Sequence, residues 1–308
     1  MIYTVTLNPA IDYVVQLPGL QVGGINRNQK EDIQFGGKGI NVSGVLKELG
    51  IPNVALGFVA GFTGDGLEKG LQTRGITTDF IHVTDGLTRI NVKVKAGEET
   101  EINGIGPVIT EADLQKLYAQ LDALQPGDYL VLSGSVPGCL GADTYEKILH
   151  RLAGREIRTV VDATGKALLG TLQHRPFLIK PNHHELGELF GKTLTSAQEI
   201  EACARKMQEM GAQNVLVSMA GDGAILLDDQ GNCYRIPCPK GQVVNSVAAG
   251  DSMVAGFLAG LSQKQDYGYA LKLGTAAGSA TAFSLGLGTK ELIYELLEQL
   301  ERSEYGSV

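Results

Sequence analysis

Residues 129–180 hold three short runs, Tyr129-Leu130-Val131-Leu132-Ser133, Thr159-Val160-Val161-Asp162 and Phe177-Leu178-Ile179-Lys180, with a helical pattern at Asp143 to Leu152 between the first two. The runs are apolar with no period of two, as strands covered on both faces are. Strand, helix, strand in this order calls for parallel pairing through right-handed crossovers. The alternation extends outward in both directions. Strands are expected at Ile2 to Leu7, Val54 to Val59 and Val215 to Ser218. Helices are expected at Ile40 to Leu49, Asp65 to Arg74, Glu111 to Ala123, Ala197 to Met210 and Ala249 to Leu261. Asp266 to Phe283 and Lys290 to Arg302 read as two more, and Ser303 to Val308 as a frayed tail. The fold class is α/β, with a central, mostly parallel sheet.

Two regions interrupt this rhythm. Residues 12–34 and 88–103 lack helical period and carry strand-like stretches at Tyr13 to Leu17, Arg89 to Val94 and Thr100 to Ile102. Gly97-Glu98 offers a hairpin turn between the last two. These read either as strands outside the main sheet or as long surface loops.

Composition narrows the function. The 308 residues are 43% hydrophobic and 19% charged, enough for a substantial core in one large domain with an appendage. A net charge of −8 argues against a nucleic-acid or acidic-membrane surface, which leaves small molecules as partners. Cys139, Cys203, Cys233 and Cys238 match no zinc-ligand spacing and read as free thiols in a reducing compartment. The amino-terminal residues carry neither a leader pattern nor a spanning segment, so the expected location is the cytoplasm.

Four segments carry chemistry. Asn245-Ser246-Val247-Ala248-Ala249-Gly250-Asp251-Ser252 puts small residues and a carboxylate where a helix begins. Such a turn can hold phosphate on free N–H groups, while an Asp at a helix start can equally be a cap. Phe35-Gly36-Gly37-Lys38-Gly39-Ile40-Asn41 combines a glycine turn with a cation, but Gly39 after Lys38 rules out a Walker A loop. The near-miss Gly187 to Gly191-Lys192-Thr193 is one residue short and reads as a glycine helix stop.

Asn182-His183-His184-Glu185 follows Lys180-Pro181 and has capping-box spacing; the same spacing would let Asn182 and Glu185 orient magnesium through its water shell. His183 and His184 are adjacent, so they are expected to point apart and to be surface side chains, not metal ligands. Ser218-Met219-Ala220-Gly221-Asp222-Gly223 is a tight turn between strands or a floor beneath a nucleotide. Asp12 and Arg89 stand at the margins of the two strand-like regions.

Taken together, the chain resembles the PfkB branch of the ribokinase superfamily of carbohydrate kinases along nearly its whole length. Gly36-Gly37-Lys38-Gly39 with Asn41 matches the first signature, Asn182 and Glu185 the magnesium motif, and Ala248-Ala249-Gly250-Asp251 the second signature. Thr6-Leu7-Asn8-Pro9-Ala10-Ile11-Asp12, Thr88-Arg89-Ile90-Asn91 and Ser133-Gly134-Ser135-Val136-Pro137 resemble the phosphosugar kinases within it. The pattern departs at Ala248, where a glycine is usual; a methyl there would crowd the turn if that position needs a positive φ, and tolerance is expected. Asn245 stands where an acidic residue is usual, which weakens a monovalent-cation site.

The resemblance implies a ribokinase-like three-layer α/β/α fold. Residues 1–11, 34–87 and 104–308 would form the kinase domain, and 12–33 with 88–103 a β-sheet lid. It implies phosphoryl transfer from ATP with Mg2+ to a phosphorylated ketohexose, fructose 1-phosphate first and tagatose 6-phosphate next, in a homodimer joined through the lid. Asp251 would be the general base, and the N–H groups of Ala249, Gly250 and Asp251 the anion hole, with Ala248 in the same catalytic turn. Asp12, Gly36, Gly37, Asn41 and Ser135 would meet the sugar, and Lys38, Arg89 and Arg27 its phosphate. Lys180, Asn182, Ser218, Gly221, Gly223 and Gly250 would meet ATP, with Glu185 and Asn182 near the metal. A dinucleotide oxidoreductase would need Gly-x-Gly-x-x-Gly after the first strand, which is missing. A catalytically silent sugar-phosphate regulator would be favoured by loss of Asp251, which is present.

Overall fold

In the computed structural model, which describes residues 1–305, the apolar runs lie side by side in one sheet. The strands are β1 (Ile2–Thr6), β2 (Ala10–Gln16), β3 (Lys30–Gly36), β4 (Asn53–Ala60), β5 (Thr78–Val83), β6 (Arg89–Ala96), β7 (Glu98–Ile102), β8 (Tyr129–Ser133), β9 (Arg158–Asp162), β10 (Leu178–Ile179), β11 (Asn214–Ser218), β12 (Ala224–Leu227) and β13 (Cys233–Ile236). The helices are α1 (Lys38–Glu48), α2 (Gly61–Thr73), α3 (Glu111–Asp122), α4 (Thr144–Arg151), α5 (Gly165–Leu169), α6 (His183–Leu189), α7 (Ala197–Glu209), α8 (Ala249–Lys264), α9 (Tyr267–Ala282) and α10 (Lys290–Tyr305).

The large sheet has nine strands in the order β13-β12-β11-β10-β9-β8-β1-β4-β5. From β11 to β5 the pairing is parallel; β12 and β13 are antiparallel. Burial on both faces explains the unbroken apolar runs. Leu130, Leu132, Val161, Ile179, Val215 and Val217 face a core built with α3 to α7. Their neighbours Val131, Val160, Leu178 and Leu216 face a second core built with α1, α8, α9 and α10. Each fully buried aliphatic side chain of this kind contributes about 1.5–3 kcal/mol. The chain leaves β1 toward β4 and β5 on one side and later returns to β8 on the other, so the strand order reverses beside β1. At such a point the loops after adjacent strands diverge and leave a crevice at their carboxyl ends.

Helices α8 and α9 are buried on nearly every side because small residues let their backbones approach. A Cβ on Gly256 would come within 2.6 Å of Leu273 O, and one on Gly260 within 2.6 Å of Ala270 Cα. Close-packed interiors do not absorb such an intrusion cheaply. Asp251 therefore starts a helix with little freedom to shift.

The two regions that broke the rhythm form a second, four-stranded sheet in the order β3-β2-β6-β7. Its strands extend beyond the expected stretches, since β2 begins at Ala10 and β3 ends at Gly36. Gly97, at φ 82°, makes the turn between β6 and β7. β2 and β6 pair in parallel inside this small sheet, aligning Ala10 with Arg89 and Asp12 with Asn91.

Several elements depart from expectation. β1 stops at Thr6, α10 continues past Arg302 to Tyr305, and residues 306–308 of the expected tail lie outside the described residues. β5 and β13 were not expected; Thr-Asp-Phe-Ile-His-Val and Cys-Tyr-Arg-Ile carry too many polar residues to read as buried strands. Gly191, at φ 62°, ends α6 as a glycine stop, with Lys192 N–H on Gly187 O. Among the described residues no helix is long and apolar enough to cross a membrane.

Candidate active site

The carboxyl ends of the parallel strands converge where the strand order reverses. Thr6, Ser133, Asp162 and Ser218 close β1, β8, β9 and β11, and Lys180 follows β10. All five line a cavity of about 530 Å³ that also receives Asp12, Gly37, Lys38, Asn41, Arg89 and Asp251. Gly134, Ser135, Asn182, Glu185, Ala248 and Gly250 complete its polar wall.

The carboxylate in the first turn of α8 is not the cap of that helix. Ala248 is the N-cap, with φ 65° and ψ 2°, and makes no side-chain cap; Asp251 lies three residues on, in the first turn. The position with a usual glycine does take a positive φ, and here an alanine takes it at a cost of about 1–2 kcal/mol. The Ala249 N–H donates to Ser246 O at 3.3 Å, while Gly250 and Asp251, whose N–H groups belong to the first turn, line the cavity. Asp251 is 5% exposed, and its Oδ2 accepts from Asn41 Nδ2 at 2.8 Å. Burial and the nearby Asp162 push its pKa up to about 7, against the pull of Asn41, Lys38 and Lys180. A carboxylate so placed is poised to take up and release a proton near neutrality.

Asp162 balances the cations. It is 2% exposed, and both Lys38 Nζ and Lys180 Nζ lie 3.4 Å from it. Burial works against its charge, but Lys180 and Lys38 outweigh burial and hold it below the usual carboxylate range. Lys38 is desolvated too, yet Asp162, Asp251 and Glu185 raise its pKa. Lys38 heads α1, entered through Gly37 at φ 134°, where a Cβ would meet Thr6 Cγ2 at 2.6 Å. Lys180 Nζ rests against the turn at Gly250, where a Cβ would come within 3.0 Å of it.

The small sheet supplies another wall. Asp12 is held by Asn91 Nδ2 at 2.7 Å and Lys93 Nζ at 3.4 Å, and Gly36 backs it so closely that a Cβ would sit 3.0 Å from Asp12 Oδ2. Arg89 Nε donates to Asn8 O at 3.1 Å. Arg27 does not join them. It is exposed in the connection between β2 and β3 and is not part of the cavity wall, because that connection leads away from the strand ends that form it.

A second cavity of about 390 Å³ adjoins the first, and the two share Asn182, Ser218 and Gly250. Gly221 and Gly223 line it with Cys238, Met253 and Phe283, an apolar slot beside a polar one. Gly223 adopts φ 90° beneath Ile236 O, where a Cβ would clash at 2.0 Å. Asn182 and Glu185 form the full capping box of α6, each side chain bonding the other's backbone N–H at 2.8 Å. Glu185, whose Oε2 makes the cap, also lines the first cavity. His183 and His184 do not point apart. Their ring centroids are 3.9 Å apart, because both side chains swing together over the first turn of a short helix. Among the described residues no group of three or more His, Cys, Asp or Glu is assembled to hold a metal ion.

Sequence reasoning missed Asp162, Asn8, Ser133 and Lys93. Ser133 and Asp162 had a usable signal, since each is the polar end of an apolar strand in a parallel sheet. Asn8 Oδ1 and Ser133 Oγ are buried in the first cavity wall with no partner, as is Thr275 Oγ1 in the second. Buried polar atoms in folded proteins nearly always find partners, so three such atoms on cavity walls mark places for ligand groups.

The comparisons with known proteins converge on one family. Residues 5–292 match the pattern of the pfkB family carbohydrate kinases. The chain is 50% identical over 301 residues to a 1-phosphofructokinase of Bacillus subtilis, covering 98% of this chain and 99% of that one. It is 39% identical over 306 residues to a D-tagatose-1-phosphate kinase of Bacillus licheniformis, covering 98% and 99%. Among solved structures, phosphofructokinase-2 from Escherichia coli in complex with fructose-6-phosphate superposes with a TM-score of 0.90 at 29% identity, covering 98% and 99%.

Proposed function

Because the chain belongs to the pfkB family of carbohydrate kinases, we propose that it transfers the γ-phosphate of ATP to the C6 hydroxyl of fructose 1-phosphate, giving fructose 1,6-bisphosphate and ADP. The observation that carries this reading is the wall of the 530 Å³ cavity, where Lys38, Lys180 and Arg89 face the same space as Asp251. A substrate already bearing phosphate needs cations beyond those that serve the nucleotide. The relatives support the substrate class: the Bacillus proteins are named for ketohexoses phosphorylated at C1.

In this reading Asp251 takes the proton of the attacking hydroxyl, and Asn41 fixes which carboxylate oxygen does so. The N–H groups of Gly250 and Asp251 receive the transferring phosphoryl group, held in line with the acceptor, whereas that of Ala249 is engaged by Ser246 O. Asp12, Gly37, Asn41 and Ser135 meet sugar hydroxyls, and Arg89 and Lys38 meet the sugar phosphate. Lys180, Asn182 and Ser218 lie where the two cavities join, suited to the ATP phosphates, and the apolar slot past Gly221 and Gly223 suits the base. The donors fit a hydrated hard cation. Glu185 lines the cavity and spends Oε2 on the cap, whereas Asn182 Oδ1 is engaged in the cap, so Glu185 is the residue that would hold magnesium waters through Oε1. Magnesium would neutralise charge on the nucleotide phosphates.

The small sheet acts as a lid in this reading, residues 12–33 and 88–103 closing on the sugar to exclude water. It also pairs two subunits. Ile33 and Ile102 are 53% and 63% exposed and stand in one cross-strand row with Tyr13 and Val92, an apolar face suited to a second copy. Four free thiols suit the cytoplasm.

Phosphorus NMR of a reaction with ATP and fructose 1-phosphate tests the reading. Equal growth of ADP and a second sugar phosphomonoester is expected, and absence of sugar-dependent ADP would refute it.

A further inference from the structure

Asp12 and Arg89 sit on different strands, yet one buried side chain touches both. Asn91 is 6% exposed and lies beside Asp12 because β2 and β6 pair in parallel in that register. Its Nδ2 donates to Asp12 Oδ1 at 2.7 Å, and its Oδ1 accepts from Gly104 N–H at 3.1 Å and from Arg89 Nη1 at 3.5 Å. An amide is suited to this place, since it offers a donor to the carboxylate and an acceptor to the guanidinium at once. Asn91 is not part of the cavity wall. Whatever it does for the ligand it does through its neighbours.

We propose that Asn91 is the positioning residue for sugar recognition, locking the Asp12 carboxylate and the Arg89 guanidinium into one fixed pair that measures the span between a ketohexose hydroxyl and its phosphate. The inference rests on the phosphosugar-kinase reading of the cavity. Three features tie the pair down. Lys93 Nζ takes the other Asp12 oxygen at 3.4 Å, so the carboxylate cannot rotate away from Asn91. Arg89 Nε is held on Asn8 O, leaving Nη1 as the arm that Asn91 orients. Gly104 N–H clamps the amide from the chain just after β7, where a Cβ on Gly104 would strike Ile90 O at 2.8 Å. A hydroxyl acceptor and a phosphate cation held at fixed separation select among substrates by geometry, where two independent side chains would accept many. A one-residue slip between β2 and β6 would turn Asp12 and Asn91 to opposite faces, so the parallel register is part of the device.

The test is calorimetric binding of fructose 1-phosphate without nucleotide, and of ADP without sugar, to wild type, Asn91→Leu and Asn91→Asp. Asn91→Leu should weaken the sugar phosphate about 10- to 100-fold by leaving Asp12 and Gly104 without their partner. ADP affinity should stay within about twofold, since its site shares no partner with Asn91. Asn91→Asp keeps the shape and the bond to Gly104 but sets a carboxylate against Asp12. Its sugar affinity should be poor at mildly alkaline pH and recover in mild acid, as the pair comes to share a proton. That recovery would not follow from misfolding. Wild-type binding with both variants unchanged, or an equal loss of ADP and sugar affinity, overturns the role of Asn91 alone. Wild type that ignores fructose 1-phosphate overturns the reading of the site, and this inference with it.

Discussion

The large sheet and the small sheet border one cavity but build it differently. Strands β8, β9 and β10 are buried on both faces, and the groups at their ends, Asp162 and Lys180, are 2% and 5% exposed. They have no room to adapt. The small sheet keeps one face open, and Asp12 and Arg89 are fixed by a few polar contacts, not by a surrounding core. The rigid half suits chemistry, which tolerates little displacement of reacting atoms. The hydrogen-bonded half suits selection of the sugar, because its contacts can be exchanged without disturbing the fold.

If this division is right, substitutions in the two halves should separate in kinetics. The largest effect should come from Asp251→Asn, with kcat lower by about 10² to 10⁴ and nucleotide affinity nearly unchanged, read by steady-state turnover and by ADP binding. Arg89→Ala should leave kcat with a modest change but weaken fructose 1-phosphate about 10- to 100-fold, and should narrow its advantage over fructose. A kcat loss in Arg89→Ala as large as that in Asp251→Asn would break the comparison.

The pH profile sharpens it. Asp251 acts as base only when ionised, so kcat should fall as pH drops below about 7, by about tenfold per unit. The same group links pH to stability. Its folded pKa is raised above the ordinary 3.8, so folding takes up a proton. The stability this contributes is complete below 3.8 and is lost as pH rises through about 7. Asp251→Asn removes that loss. It should melt above wild type at alkaline pH, with the difference fading in acid, as thermal scans would reveal.

Smaller effects test the surroundings. If the small sheets pair two copies as proposed, wild type should sediment as a dimer and Ile102→Glu as a monomer with the large sheet still folded. Ala248→Gly should change stability by about 1 kcal/mol or less, since relief of the positive φ is offset by the freedom glycine adds to the unfolded chain. A large gain in kcat from Ala248→Gly would mean that the methyl obstructs the turn.

The rigid half was also the half most legible in the sequence. Tyr129 to Ser133 and Thr159 to Asp162 read as buried strands because both faces are covered, and they are. Asp251 was legible as a carboxylate at a helix start, but only the structure shows that it does not cap the helix and that Asn41 holds it. Asp162 passed unnoticed because its one signal, a polar end on an apolar strand, does not show its partners; its meaning comes from Lys38 and Lys180, elsewhere in the sequence. The apolar slot was illegible for the same reason, being assembled from Cys238, Met253, Thr275 and Phe283 on separate elements. Arg27 was singled out by charge alone, and charge says nothing about where a loop leads. The His183 and His184 rings meet because side-chain torsions, not the helical step, decide their separation.

The most direct test of the account is kcat/KM with ATP for fructose 1-phosphate, tagatose 1-phosphate, tagatose 6-phosphate, fructose 6-phosphate and fructose, measured side by side on the wild-type protein. The account predicts the highest value for fructose 1-phosphate and the lowest for unphosphorylated fructose. A higher value for any of the others, or equal values with and without the sugar phosphate, would contradict it.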